Sequence, residues 1–358
     1  MYMYKLIFIL LFIPTILVSQ NDSTKTEKAL KVVPLITSTP LMGWGFGVSS
    51  SYLYDADKST ASKSQLLIEG QYTTTKSYNA LVRNNLWLNN NAFLSSSQVV
   101  YSSINNEFSD KTYGEVEYNI NTIILTELLM FRVADRIYFG TPLSYKRLQY
   151  KPNNQGGDDF ISGNGITNEN SAGVGLALSY DTRKNKYFPS KAAWITARIN
   201  TNPSWLGADN SYGALIVDAR YYAQGFKDND VWASQFYGHY SSDKAPDNGL
   251  PTLSGKTQLR GYPAGQFKAK YQTGAQTEYR YTINKTRFRA VAFFGVANLS
   301  GGSYGFEGNS RDDDGWYTCE GLGLRYMLQQ VTGVDLRLDF VHTSEGDISF
   351  YLKVNQAF

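Results

Sequence analysis

The 358-residue sequence predicts an all-β fold, a transmembrane antiparallel β-barrel of about 16 strands, on three observations. Segments of about ten residues that alternate apolar and polar side chains recur along the chain between polar turns, as strands with lipid on one face and a lumen on the other require. Aromatic residues make up 15% of the chain and 27 residues are Tyr, while mean hydropathy is negative, a pairing suited to the two tyrosine-rich interface girdles of a barrel and unusual for a soluble core. Beyond residue 19 no apolar run is long enough for a spanning helix.

The elements follow in chain order. Residues 1–19 read as a cleavable secretory signal, with Lys5, an apolar run from Leu6 to Val18 too short to span a bilayer, and Ser19 before Gln20. No Cys follows the run, so a lipoprotein anchor is not expected. Residues 20–30 are polar and Lys-rich and read as a periplasmic linker, which leaves 31–358 for an integral outer-membrane barrel of a Gram-negative-type bacterium. In Ser171–Arg183, Ala172, Val174, Leu176, Leu178 and Tyr180 face one way, against Gly173, Gly175, Ser179, Asp181 and Arg183. Trp44–Tyr54 sets Trp44, Phe46 and Val48 against Gly45, Gly47 and Ser49, and Gly333–Val341 sets Leu336, Leu338 and Phe340 against Asp335, Arg337 and Asp339.

Alternation predicts strands near 44–54, 64–73, 77–88, 92–101, 115–131, 136–150, 171–182, 192–200, 212–224, 230–241, 267–282, 286–297, 319–328, 333–342 and 347–357. A bacterial barrel has an even number, and a short first strand at Lys31–Thr37 supplies it. With both termini periplasmic, 102–113, 151–170, 202–211, 242–266 and 299–318 become long outer loops, and the connections at Asp135, Arg183–Pro189, Lys227–Asp230 and Gln329–Thr332 become short inner turns. Ile348, Phe350, Leu352 and Val354 alternate toward Phe358, and a final aromatic on an alternating strand resembles the C-terminal insertion signal of outer-membrane proteins.

Catalysis finds little support. The single Cys319 excludes an internal disulfide, two His leave little for a metal site, and a net charge of +3 argues against a nucleic-acid surface. Gly255-Lys256-Thr257 lacks the first Gly of a phosphate loop, since Leu250 stands there. His239 and His342 lie on separate strands with no nucleophile elbow, and Asp312-Asp313-Asp314 reads as a solvated loop, having too few spaced ligands for calcium. Neither an enzyme nor a cofactor is expected.

The most informative residues are Leu259-Arg260-Gly261-Tyr262, followed by a strand carrying Glu278. This tetrapeptide resembles the sixth-loop signature of the BamA/TamA-type outer-membrane assembly barrels, the bacterial surface antigen family. Asp181-Thr182-Arg183 through Pro189 resembles that family's periplasmic turn motif, with Ala192 where a Gly is usual. Phe293–Asn298 resembles its next motif, with Gly295 replacing an acidic residue and Ala297 a Gly. The resemblance implies that the sixth loop folds back into the lumen and that Arg260 meets carboxylates there, from Glu278 or, given Gly295, from Asp335 or Asp339.

The resemblance also implies protein insertion into, or translocation across, the outer membrane, by lateral opening between the first and last strands. Expected partners are outer-membrane lipid, the barrel assembly machinery during biogenesis, and a periplasmic or lipoprotein partner in place of the docking (POTRA) domains that most members carry before the barrel. A passive porin and a structural docking subunit are the alternatives.

Overall fold

The computed structural model describes residues 30–358 except 40–42, 57–61, 111, 247–248, 254–258, 263–266, 285, 303–312, 330–333 and 355. The expected signal and nearly all of the linker lie outside the described residues. Sixteen strands form one closed antiparallel barrel: β1 (Leu30–Thr39), β2 (Gly43–Tyr54), β3 (Ser64–Thr73), β4 (Tyr78–Leu88), β5 (Phe93–Asp110), β6 (Gly114–Ala134), β7 (Ile137–Pro152), β8 (Glu169–Asp181), β9 (Ala192–Asn202), β10 (Tyr212–Gln224), β11 (Val231–Ser241), β12 (Tyr271–Thr282), β13 (Phe288–Ser300), β14 (Gly315–Gln329), β15 (Val334–Thr343) and β16 (Ile348–Val354). Each strand pairs with its sequence neighbours, and β1 pairs with β16 to close the ring. Closure satisfies the backbone groups that a sheet edge would expose to lipid.

The alternation acts as the sequence implies. Phe46 and Val48 on β2 and Leu176 and Leu178 on β8 point outward and are exposed, whereas Ser49, Ser51, Ser179 and Asp181 are buried on the lumenal face. Among the described residues no helix is long and apolar enough to cross a membrane.

Several expected boundaries need correction, among them the starts of β12 at Tyr271, not 267, and of β14 at Gly315, not 319. Most of the loop expected at 102–113 is strand, because the β5–β6 ladder runs on to Asp110↔Gly114. Strands of 18 and 21 residues far exceed the 9–11 that cross a bilayer. On one face of this extension Asn119 Nδ2 donates to Ser103 Oγ (2.7 Å) and Asn105 Oδ1 (2.8 Å), while the other carries Ile104, Phe108, Val116 and Tyr118, a row that Asn106 interrupts. The loop expected at 151–170 holds a helix, α1 (Gln155–Gly163), capped by Asn154 Oδ1, which accepts from Gly157 N at 2.7 Å and from Glu117 N at 3.1 Å. Phe160 of α1 packs on Phe108, Tyr113 and Tyr118 of the same hairpin.

At the ends of the chain, β1 has ten residues and β16 seven, reversing the expected short first and long last strand. β16 leaves the ladder at Val354 and does not run to 357, so Phe358 lies on no strand. The described residues of the β1–β16 seam pair only at Ile36↔Leu352, Thr37↔Tyr351 and Ser38↔Phe350. By contrast β1 pairs with β2 at ten positions and β15 with β16 at seven.

Candidate functional site

Leu259, Arg260 and Tyr262 are almost fully buried inside the barrel. The chain reaches them from the loop after β11, which enters from the end opposite the termini. Tyr262 anchors the segment: its hydroxyl donates to Thr318 O at 2.8 Å and lies 3.0 Å from Ser344 Oγ. Its ring packs edge-on against Phe267 and Tyr317. Gly261 has φ +98°, and a Cβ there would stand 2.3 Å from Thr343 Cγ2, so a side chain is excluded by backbone and by space. Its carbonyl accepts from Ser349 Oγ of β16 at 3.2 Å, tying the loop to the last strand.

Arg260 Nη1 lies 3.0 Å from Glu278 Oε2 on β12 and 3.3 Å from Asp339 Oδ2 on β15, with the guanidinium 3.5 Å over the Phe293 ring. Asp335, the third carboxylate expected for Arg260, pairs instead with Arg289 at 2.6 Å. Four residues separate it from Asp339, a displacement of about 13 Å along a strand, so it sits nearer the termini. Gly295 is small because of the loop itself: a Cβ there would stand 2.7 Å from Leu259 Cδ1. Leu259 fills the space where the family pattern has an acid, and Asp339 supplies the second carboxylate from the other side.

Two further arginines, outside every sequence motif, join this network. Arg325 on β14 meets Asp339 Oδ1 at 2.6 Å, and Arg289 on β13 meets Asp335. Arg280 Nε is 2.6 Å from Glu278 Oε1, and Arg337 Nε is 3.4 Å from Asp339 Oδ2. Arg289, Arg325, Arg337 and Lys353 occupy one cross-strand row on β13 to β16. Like charges directly opposite repel, and Asp335, Asp339 and Glu278 offset that repulsion. Alternation on each strand could have revealed the inward cations, but not their shared row, which depends on register.

At the end carrying the termini, the β8–β9 turn folds across the mouth. Asp181 Oδ1 accepts from Arg183 N and Nε, each at 2.9 Å, and Oδ2 accepts from Arg183 Nη2 and Lys186 Nζ, also at 2.9 Å. Arg183 stacks 3.9 Å over Trp194, and Pro189 is buried. The Tyr187 hydroxyl donates to Lys63 O on the far rim at 2.9 Å, and Phe188 lies 3.8 Å under Arg289. Burial lowers the Lys186 pKa against the pull of Asp181 and raises that of Tyr187.

The chain end completes this cover. Phe350 projects outward among Trp44 and Phe340, but Val354 packs with Val33, Leu53 and Val334, and Leu352 is buried. Phe358, expected at the tip of an alternating strand, instead packs with Tyr222, Val231 and Ala233 across the mouth, and its carbonyl oxygen accepts from Arg280 Nη2 at 2.9 Å. In the loop after β13, Asp313 Oδ2 accepts from Lys268 N at 2.9 Å and Asp314 Oδ2 from Gly302 N at 3.0 Å, while Asp312 and the 255–257 segment lie outside the described residues.

Known structures share this architecture. BamA from Haemophilus ducreyi lacking POTRA domains 1–3 superposes with a TM-score of 0.56 at 13% identity, over 92% of this chain and 71% of that one. CdiB from Acinetobacter baumannii gives 0.63 at 11% identity, and CdiB from Escherichia coli 0.59 at 11%, each over 92% of this chain. The chain covers 60% and 63% of those two, less than two thirds of their length. Comparison with curated proteins by sequence found no match. The Omp85 superfamily domain matches residues 43–340, most of the chain and nearly all of the barrel, and the chain belongs to the Omp85 superfamily.

Proposed function

We propose that this chain is an integral outer-membrane barrel that inserts polypeptides into that membrane or passes them across it, by sideways opening between β1 and β16. The thin seam carries this reading. Three residue pairs join the two strands among the described residues, where the flanking ladders have seven and ten, so the seam is the segment of the ring with the least backbone hydrogen bonding to lose.

The interior supports the same reading. The loop holding Leu259–Tyr262 and the cover formed by Tyr187, Phe188 and Phe358 occupy the lumen and its mouth, an arrangement that suits a closed gate better than a wide solute channel. In this proposal Arg260, held by Glu278 and Asp339, latches the loop, while Ser349 couples that loop to the moving strand. Asp181, Arg183 and Pro189 brace the turn. Phe350, Leu352, Val354 and Phe358 carry the signal read by the barrel assembly machinery during biogenesis, and a periplasmic or lipoprotein partner delivers substrate.

Reconstitution tests this function. Proteoliposomes containing the barrel should speed the folding of a urea-denatured eight-stranded barrel, read as appearance of its heat-modifiable gel band, relative to empty liposomes of the same lipid. Equal rates together with large, steady single-channel conductance would overturn the proposal in favour of a porin.

A further inference from the structure

Two concave features meet on the outer wall near the end carrying the termini. The first is a cleft of about 830 Å³ that crosses the barrel rim. It runs from the lumen-facing Tyr138 and Asp181 to the outward-facing Tyr180, Ala193 and Tyr221. Six cations line it, Arg132, Arg136, Arg183, Lys184, Lys186 and Lys191, against two carboxylates, Asp135 and Asp181. Asp181 is engaged by Arg183 and Lys186, and Asp135 lies 3.4 Å from Arg136. Arg132, Lys184 and Lys191 have no carboxylate partner among the described residues. The excess of positive charge is therefore presented at the cleft surface.

The second feature is an apolar groove of about 500 Å³ on the lipid-facing wall of β9 to β13. It shares Ala193 and Tyr221 with the cleft, so the two are continuous. Register explains its shape. One cross-strand row reads Ile195, Ala219, Phe236, Ala275, Val296, setting a small side chain between large ones on alternate strands. The next row toward the termini reads Ala193, Tyr221, Ser234, Thr277, Phe294. The groove climbs from Ala193, the second residue of β9, to Val296, eight residues into β13. For strands tilted by about 40° that second height is roughly 20 Å above the rim, comparable with the reach of one acyl chain into a leaflet.

We propose that the cleft and groove together hold one anionic phospholipid of the leaflet at the termini end, its phosphate among Arg132, Lys184 and Lys191 and an acyl chain along Ala219 and Ala275. Charge complementarity selects the headgroup, and continuity with a lipid-facing apolar groove selects a lipid over a soluble anion. Tyr180 and Tyr221 flank the junction at the level where interfacial aromatics belong. The site lies on the wall away from the β1–β16 seam, and it stands whether or not the barrel moves polypeptides.

Native mass spectrometry of the delipidated, folded full chain in detergent tests the proposal, with dioleoyl phosphatidylglycerol and dioleoyl phosphatidylcholine as competing probes. Phosphatidylglycerol should be retained preferentially. The variant Arg132→Gln/Lys184→Gln/Lys191→Gln should lower its retention at least about tenfold. Ala219→Leu/Ala275→Leu, which alters no charge, should lower the retention of a two-chain lipid while leaving that of a short-chain analogue unchanged. The heat-modifiable gel shift of each variant verifies that it is folded. Equal retention of the two lipids, or full retention by the folded triple variant, overturns the proposal. So does displacement of the lipid by inorganic phosphate or by an acidic peptide at equal concentration, which would make the cleft a site for soluble anions or for a protein.

Discussion

Arg260 shares its two carboxylates with other guanidiniums, and that crowding sets what its removal does. Breaking an isolated buried ion pair costs about 3–5 kcal/mol. Here Glu278 keeps Arg280 and Asp339 keeps Arg325, so Arg260→Ala should lose about half of that or less in denaturant unfolding, while protease cleavage within 242–266 rises. Combined with Glu278→Ala it should give a coupling of about 1–3 kcal/mol, and strictly additive effects would contradict the contact. Gly295→Asp restores the acid of the family pattern but drives it into Leu259. It should destabilise by about 1–3 kcal/mol through overpacking, and Leu259→Ala should recover part of the loss. The Arg260–Glu278 contact was readable because a loop motif and a two-residue period coincided there. The separation of Asp335 from Asp339 was not, since alternation gives a side chain's face while its partner depends on cross-strand register.

At the scale of elements, legibility followed the lipid. Fifteen strands are legible by alternation and β1 follows from the even strand number, but the β5–β6 extension reads as a loop because Asn106 interrupts the apolar row of Ile104 and Phe108. The 151–170 stretch likewise reads as a loop, yet α1 forms there because Phe160 has an aromatic surface to cover and Asn154 caps the first turn. Asn154→Ala should weaken that helix by about 1 kcal/mol and expose 151–168 to protease, with the barrel's heat-modification temperature unchanged. The end of β16 misled for a different reason. An aromatic at 358 fits a lipid-facing strand tip by period alone, and only tertiary packing turns it inward against Tyr222 and Val231. Phe358→Ala should therefore destabilise the finished barrel by about 3 kcal/mol, seen as a lower heat-modification temperature. An unchanged temperature with reduced insertion would return Phe358 to a role in biogenesis alone.

The whole molecule combines a lumen filled by one loop, a mouth covered by one turn and the chain end, and a ring whose β1–β16 seam is thin among the described residues. Loop and seam touch through Gly261 and Ser349, so releasing the Arg260 latch and opening the wall become one motion in this account. A disulfide across the seam tests it most directly. Ile36 and Leu352 are paired positions, so Ile36→Cys with Leu352→Cys, in a chain carrying Cys319→Ala, places one bridge across the gate. The oxidised barrel in proteoliposomes should lose its acceleration of substrate folding and regain it on reduction, whereas a fully locked barrel that works as well as the reduced one would contradict lateral opening.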